Sequence, residues 1–240
     1  MRRRFFVDEV RNGRAKIVGE EARHLSRVLR VEPGQRYEIS DNRHVYLAEI
    51  ETAHKENVVF RAIEKLPTSP ASARFELYAA LIKFDRFEWI VEKATELGVA
   101  EIVPVEAARS ERGLEKAAGK RVERWRRIAL EASQQSRRAH LPEIGEPVPL
   151  AEAIARTGGY RYVLDENPGG TSLLQALPAV RNAQDTVAIL TGPEGGWTDE
   201  ERASFTAPGW TPVSMGPLIL RAETAVIAAL AVVSQAWLLN

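Results

Sequence analysis

The spacing of hydrophobic and polar residues changes as the chain proceeds. Arg43–Ile50 (RHVYLAEI) and Asn57–Ile63 (NVVFRAI) place β-branched and aromatic residues in near alternation with polar ones, the period of a strand with one buried face. Pro33-Gly34 and Asp41-Asn42 supply turns around them. Glu20–Arg30 (EEARHLSRVLR) follows the helical period instead. Leu25, Val28 and Leu29 form its apolar face, and Arg23, Arg27 and Arg30 fall at i, i+4 and i+7 along one exposed stripe. Residues 1–66 thus predict a small β-rich module, and Leu66–Ala73 (LPTSPASA), with two prolines, a linker.

From Arg74 the pattern becomes strands alternating with helices. Phe75–Ile82, Val99–Val105, Tyr160–Leu164, Thr186–Leu190 and Thr211–Met215 are short strand-like runs. Asp85–Leu97 is amphipathic, with Phe87, Ile90, Val91, Ala94 and Leu97 on one side; Asp85 and Glu88 have the spacing of a cap, and Gly98 ends the run. Lys116–Arg138 predicts one long basic helix, and Thr198 with Glu201 a capping box opening another. Thr224–Ser234 (TAVIAALAVVS) predicts a fully buried helix, short of the ~20 apolar residues that span a bilayer. This alternation argues for an α/β fold with a mainly parallel sheet.

Composition narrows the chemistry. The 240 residues include 33 basic and 33 acidic side chains and no cysteine, which excludes a disulfide scaffold, a thiolate nucleophile and Cys-ligated metal. The four histidines show no metal-ligand spacing, so no metal is expected. Asp8, Glu9 and Arg11 interrupt the place where an export signal needs an apolar core, making the cytoplasm the expected location and no membrane the expected partner. Zero net charge conceals a division: residues 1–147 carry +4 and residues 148–240 carry −4. Of the basic residues 26 are Arg, suited to bidentate phosphate contacts, although solvated helix faces would use the same residues.

Two segments near the C-terminus carry the strongest signals. Leu190–Trp197 (LTGPEGGW) is a Gly-rich strand-to-helix turn of the kind that brings backbone N–H groups close to a ligand. It has neither the dinucleotide fingerprint nor the Gly-Lys-Ser/Thr of a P-loop, and a structural turn would look the same. Met215–Ala225 (MGPLILRAETA) sets Arg221 and Glu223 beside a very apolar run. Burying unpaired charge is costly, so these two should pair with each other, with a ligand or with solvent.

Together, TGPEGGW–TDEE and MGPLILRAETA strongly resemble the RsmE family of 16S ribosomal RNA uridine N3-methyltransferases, within the SPOUT superfamily. The resemblance runs over nearly the whole chain, through RRFFVDE, HLSRVLRVEPGQ, KFDRFEWIVEKATELGVAEIVPVEAARS and EASQQSRRAHLPEI. There are two departures. Phe84 stands where the family often shows Gly in a Lys-Gly-Asp-Arg pattern, and Arg137 stands where it often shows Gly before Arg138.

The resemblance implies a PUA-like RNA-binding β-barrel over residues 1–70. It implies a SPOUT methyltransferase domain over 71–240, a mainly parallel sheet with helices on both faces and a C-terminal trefoil knot. It implies S-adenosylmethionine as cofactor, held by Leu190, Thr191, Gly192, Pro193, Glu194, Gly195 and Gly196. A second loop would contribute Met215, Gly216, Pro217, Leu218, Ile219 and Leu220, with Thr224 and Ala225 following and Leu164–Glu166 as a third contact. It also implies a homodimer packed through the knot, and a partner in 16S rRNA or the small ribosomal subunit. A methyltransferase of the same superfamily acting on another RNA such as tRNA, or a non-catalytic RNA-binding protein, would share these features.

Uridine N3 carries a proton and is a poor nucleophile until it leaves; the charge then developing on the base needs a cation or donor. Arg221 is the candidate for that role, and Glu194 and Glu223 are the candidate carboxylates. Arg2, Arg3, Arg4, Arg23, Arg27, Arg30, Lys83, Arg86, Arg109, Arg137 and Arg138 are the candidates for RNA phosphate contacts.

Overall fold

The computed structural model describes residues 3–67, 73–156, 158–167 and 170–238, so Arg2 and most of the expected linker lie outside the described residues. The chain divides into two compact units, one of residues 1–70 with Ser133–Leu141, the other of 71–132 with 142–240.

The first unit is a five-stranded sheet of β1 (Arg4–Phe6), β2 (Arg14–Val18), β3 (Arg36–Ser40), β4 (Val45–His54) and β5 (Asn57–Leu66), in the order β1-β3-β4-β5-β2. All pairings but the parallel β1·β3 are antiparallel. Register shifts at Leu47/Ala48 and Ile50/Thr52 bend β4 against β5. One face buries Phe5, Ile17, Ile39, Ile50 and Phe60 together with Leu25 from α1 (Gly19–Arg27). That helix is shorter than its sequence pattern. It stops at Arg27, Val28 is exposed instead of joining the apolar face, and Arg30 lies beyond the helix with φ +51°. Arg23, Arg27 and Arg30 are all exposed, but not as one helical stripe.

The second unit is a parallel sheet built from β6 (Arg74–Ala80), β7 (Glu101–Glu106), β8 (Glu143–Ile144), β9 (Val148–Pro149), β10 (Tyr160–Leu164), β11 (Thr186–Thr191) and β12 (Thr211–Val213). Its order is β12-β10-β11-β6-β7-β8, with β9 also on β7. Side chains alternate between two apolar layers, as a sheet covered on both faces requires. Phe75, Leu77, Val187 and Ile189 face one layer with α2 (Phe84–Glu96), α4 (Val122–Ser136) and α8 (Ala222–Leu238). Tyr78, Ala188 and Leu190 face the other with α5 (Leu150–Ala155) and α7 (Asp199–Phe205). The α/β, mainly parallel architecture is the expected one.

Three helical segments of the second unit also differ from expectation. Lys116–Arg138 is not continuous: α3 (Leu114–Ala118), a 3-10 turn at Gly119–Arg121 and α4 share it, and Arg137 ends it at φ +57°. Asp85 lies inside the first turn of α2 rather than capping it, because Lys83 is the N-cap and Glu88 is held by Arg124 at 2.5 and 2.7 Å. The C-terminal helix α8 is longer than its apolar run, and only one side is buried, through Val226, Ala229, Leu230, Val233 and Trp237. A short α6 (Leu173–Ala176) precedes β11.

Candidate cofactor-binding site

Parallel strands end at one edge of their sheet, where α/β proteins place ligands. Beyond the C-terminal ends of β10, β11 and β12, three loops enclose a cavity of about 500 Å³. The first supplies Leu164, Asp165 and Glu166, and the second Thr191 through Trp197. The third supplies Ser214, Met215, Gly216, Leu218, Ile219, Leu220 and Arg221, with Ala222 and Ala225 from the start of α8 and Arg86 from α2. Of the residues assigned from sequence to the cofactor, Leu190, Pro217 and Thr224 do not line the cavity; Trp197, Ser214 and Arg86, which were not assigned to it, do.

The loops are tied to one another. The buried Trp197 indole donates to the Leu164 carbonyl at 2.9 Å and packs over Gly192, where a Cβ would come within 3.0 Å of the ring. Gly196 has φ +68°, and a Cβ there would meet Glu166 Oε1 at 2.4 Å, so the backbone approaches as only glycine allows. Thr198 and Glu201 form the expected capping box of α7, and Glu201 also accepts from the Ala108 N–H at 2.8 Å.

Arg221 is exposed on the cavity wall, and its guanidinium makes no bond to another described residue. The pairing with Glu223 that the sequence allowed is not formed. Glu223 is buried (8% exposed), its Oε2 meets no donor, and it does not line the cavity. Glu194 lines the cavity and is ion-paired with Arg86.

The other arginines assigned to RNA are variously placed. Arg3 is half-buried; Arg23, Arg27, Arg30 and Lys83 are exposed. Arg4 is held in the first unit by Glu38 at 2.7 Å, and Arg137 also reaches Glu38. Arg109 donates to the Gly195 and Trp197 carbonyls, both at 3.1 Å, and so serves the second loop. Burial pulls the Arg138 guanidinium down to about 10, still charged at neutral pH. Among the described residues no cluster of His, Asp and Glu could hold a metal ion, and no helix is long and apolar enough to cross a membrane.

Residues 69–234 match a family described as an RNA methyltransferase domain, and residues 17–63 one described as an RNA methyltransferase PUA domain. The ribosomal RNA small subunit methyltransferase E of Bacillus subtilis is 32% identical, over 91% of this chain and 88% of that protein. The protein of that name from Aquifex aeolicus is 32% identical, over 92% and 95%. The chain belongs to the RsmE family. A crystal structure of the RsmE protein of Neisseria gonorrhoeae bound to S-adenosyl methionine superposes with a TM-score of 0.87 at 27% identity, covering 99% of this chain and 98% of that one.

Both departures from the RsmE pattern have a structural account. Phe84 packs its ring 6.1 Å from that of Trp125 and under the Arg121 guanidinium at 4.9 Å. Arg137 adopts the left-handed conformation that suits the family's glycine, and its guanidinium reaches the buried Glu38. The contributions of Trp197 and Ser214 were missed in the sequence, although both stand beside loop residues the resemblance had singled out.

Proposed function

We propose that this chain is an S-adenosylmethionine-dependent methyltransferase that modifies N3 of one uridine in 16S rRNA of the small ribosomal subunit. The observation that carries the reading is the three-loop cavity at the strand ends, in a chain that aligns over nearly its full length with RsmE proteins. The cavity fits the cofactor. It has the scale of a small-molecule site, and Gly192, Gly195 and Gly196 let Trp197, Arg109 and Glu166 pack close against the loop that lines it. Leu164, Met215, Leu220 and Ala225 offer apolar walls, and polar backbone groups are supplied by the second and third loops.

When bound, S-adenosylmethionine supplies a methyl group on a positively charged sulfonium. The loops orient it against the incoming base, since near-attack geometry is the larger part of such a transfer. Arg221, with no internal carboxylate partner, is placed to stabilise negative charge on uracil O2 or O4 as N3 loses its proton. Of the two candidate carboxylates, Glu194 faces the cavity and Glu223 does not, so Glu194 is assigned as proton acceptor, with Arg86 holding it.

Residues 1–70 act as the RNA-binding domain and 71–240 as the catalytic domain. The exposed Arg23, Arg27, Arg30 and Lys83 serve as phosphate contacts. The active form is a homodimer through the knot region, where Leu218 and Ile219 are exposed at 76% and 86% and the half-buried Ile227, Ala228 and Ala231 of α8 add apolar surface. It works in the cytoplasm, with the ribosome.

The test is transfer of labelled methyl from S-adenosylmethionine to small subunits prepared without the modification, followed by mapping of the labelled base. Label at uridine N3 is the expected result; no transfer to any ribosomal RNA overturns the reading.

A further inference from the structure

We infer that Arg202 and Arg109 are positioning residues that fix the cofactor loop through a shared acceptor, the Trp197 carbonyl. The inference deepens the proposed function and rests on it. Arg202, on α7, uses its whole fork. Nε and Nη2 take Asp165 Oδ2 and Oδ1 at 3.0 and 3.1 Å, Nη2 also reaches Glu166 Oε1 at 2.9 Å, and Nη1 donates to Trp197 O at 2.8 Å. One planar cation therefore joins the loop after β10 to the loop after β11. Arg109, from the segment after β7, reaches Trp197 O and Gly195 O through one Nη1 atom, both at 3.1 Å.

The Pro193–Trp197 stretch needs such support. Gly195 and Gly196 have no side chains to anchor it, and its own backbone bond is Gly196 N–H to Pro193 O at 2.9 Å. Glycine in an unheld loop samples many conformations, and a ligand would have to suppress them on binding. Two guanidinia on one carbonyl remove that freedom beforehand. Arg202 also keeps the adjacent Asp165 and Glu166 carboxylates, both on the cavity wall, in one arrangement beside Gly196. Lysine could match the charge but not the fork that reaches three acceptor groups.

The experiment titrates S-adenosylmethionine into the full chain and its Arg202→Lys, Arg109→Lys and doubly substituted variants by calorimetry, alongside steady-state kinetics. Arg202→Lys is expected to weaken binding about tenfold and Arg109→Lys roughly threefold, through loss of preorganisation. KM for S-adenosylmethionine should rise while kcat at saturation stays within about twofold, as for residues that act on ground-state and transition-state binding alike. The double variant should lose less than the product of the two, because both act on one acceptor. A merely structural role would lower the melting temperature and leave affinity and KM unchanged at assay temperature. If Arg202→Lys does not fold, the exposed Arg109→Lys decides. Wild-type binding with unaltered affinity in the folded variants overturns this inference alone; failure of the wild type to bind overturns it together with the functional reading.

Discussion

Glu223 is the residue whose surroundings fit its chemistry least well. It is buried in the first turn of α8, where the helix dipole favours an acidic group, yet Oε2 is removed from water and meets no donor. Such a carboxyl is costly to the fold. Glu223→Gln keeps the volume and removes the ionisable group, so the unfolding free energy by denaturant titration should rise by about 1 kcal/mol. A loss of stability would show instead that the carboxyl is satisfied in the fold. Arg137 is the reverse case. Its φ of +57° carries a penalty of roughly 1 kcal/mol for a residue with a Cβ, and the contact with buried Glu38 acts against it.

Among the elements, α7 has the strongest local determinant. Thr198 Oγ1 accepts from the Glu201 N–H at 3.1 Å, and Glu201 Oε2 from the Thr198 N–H at 2.8 Å. Thr198→Ala should cost about 1 kcal/mol in chemical denaturation, with the Thr191–Trp197 loop immediately before it loosened as well. This cap was legible because it is written within four residues, as were β10, with Tyr160–Leu164 matched end to end, and the buried face of α2. Interactions across long stretches of chain were not legible. Nothing near Asp85 announces that Glu88 will be engaged by Arg124 thirty-six positions away, which leaves no reciprocal cap. Nor does the sequence show that Arg109 and Arg202 will meet at a backbone carbonyl, since a carbonyl has no residue signature. The break in Lys116–Arg138 hinged on Gly119, one weak breaker inside a charged, otherwise helical pattern.

For the whole molecule, the division into units is not a division of the chain into two consecutive pieces. Ser133–Leu141 belongs to the first unit although its neighbours on both sides belong to the second. It is bonded there at several points: Ser40 Oγ donates to Ala139 O at 2.6 Å, Gln134 to Glu21 at 2.8 Å, and the Leu141 N–H to Asn42 Oδ1 at 2.7 Å. Burial, the largest influence on Glu21, pushes its carboxyl upward, and the Gln134 amide acts against this. A fragment of residues 1–70 alone would lose all these partners. At ~1 kcal/mol for each neutral bond, it should unfold at clearly lower denaturant than the same fragment carrying 133–141 on a flexible linker, as followed by circular dichroism. Equal midpoints would show that the segment contributes nothing to the first unit. The same arrangement sets an order of events during translation. The N-terminal sheet can emerge and collapse early, but its last hydrogen bonds wait until residue 141 has cleared the exit tunnel, by which time β6 and β7 of the parallel sheet have already emerged.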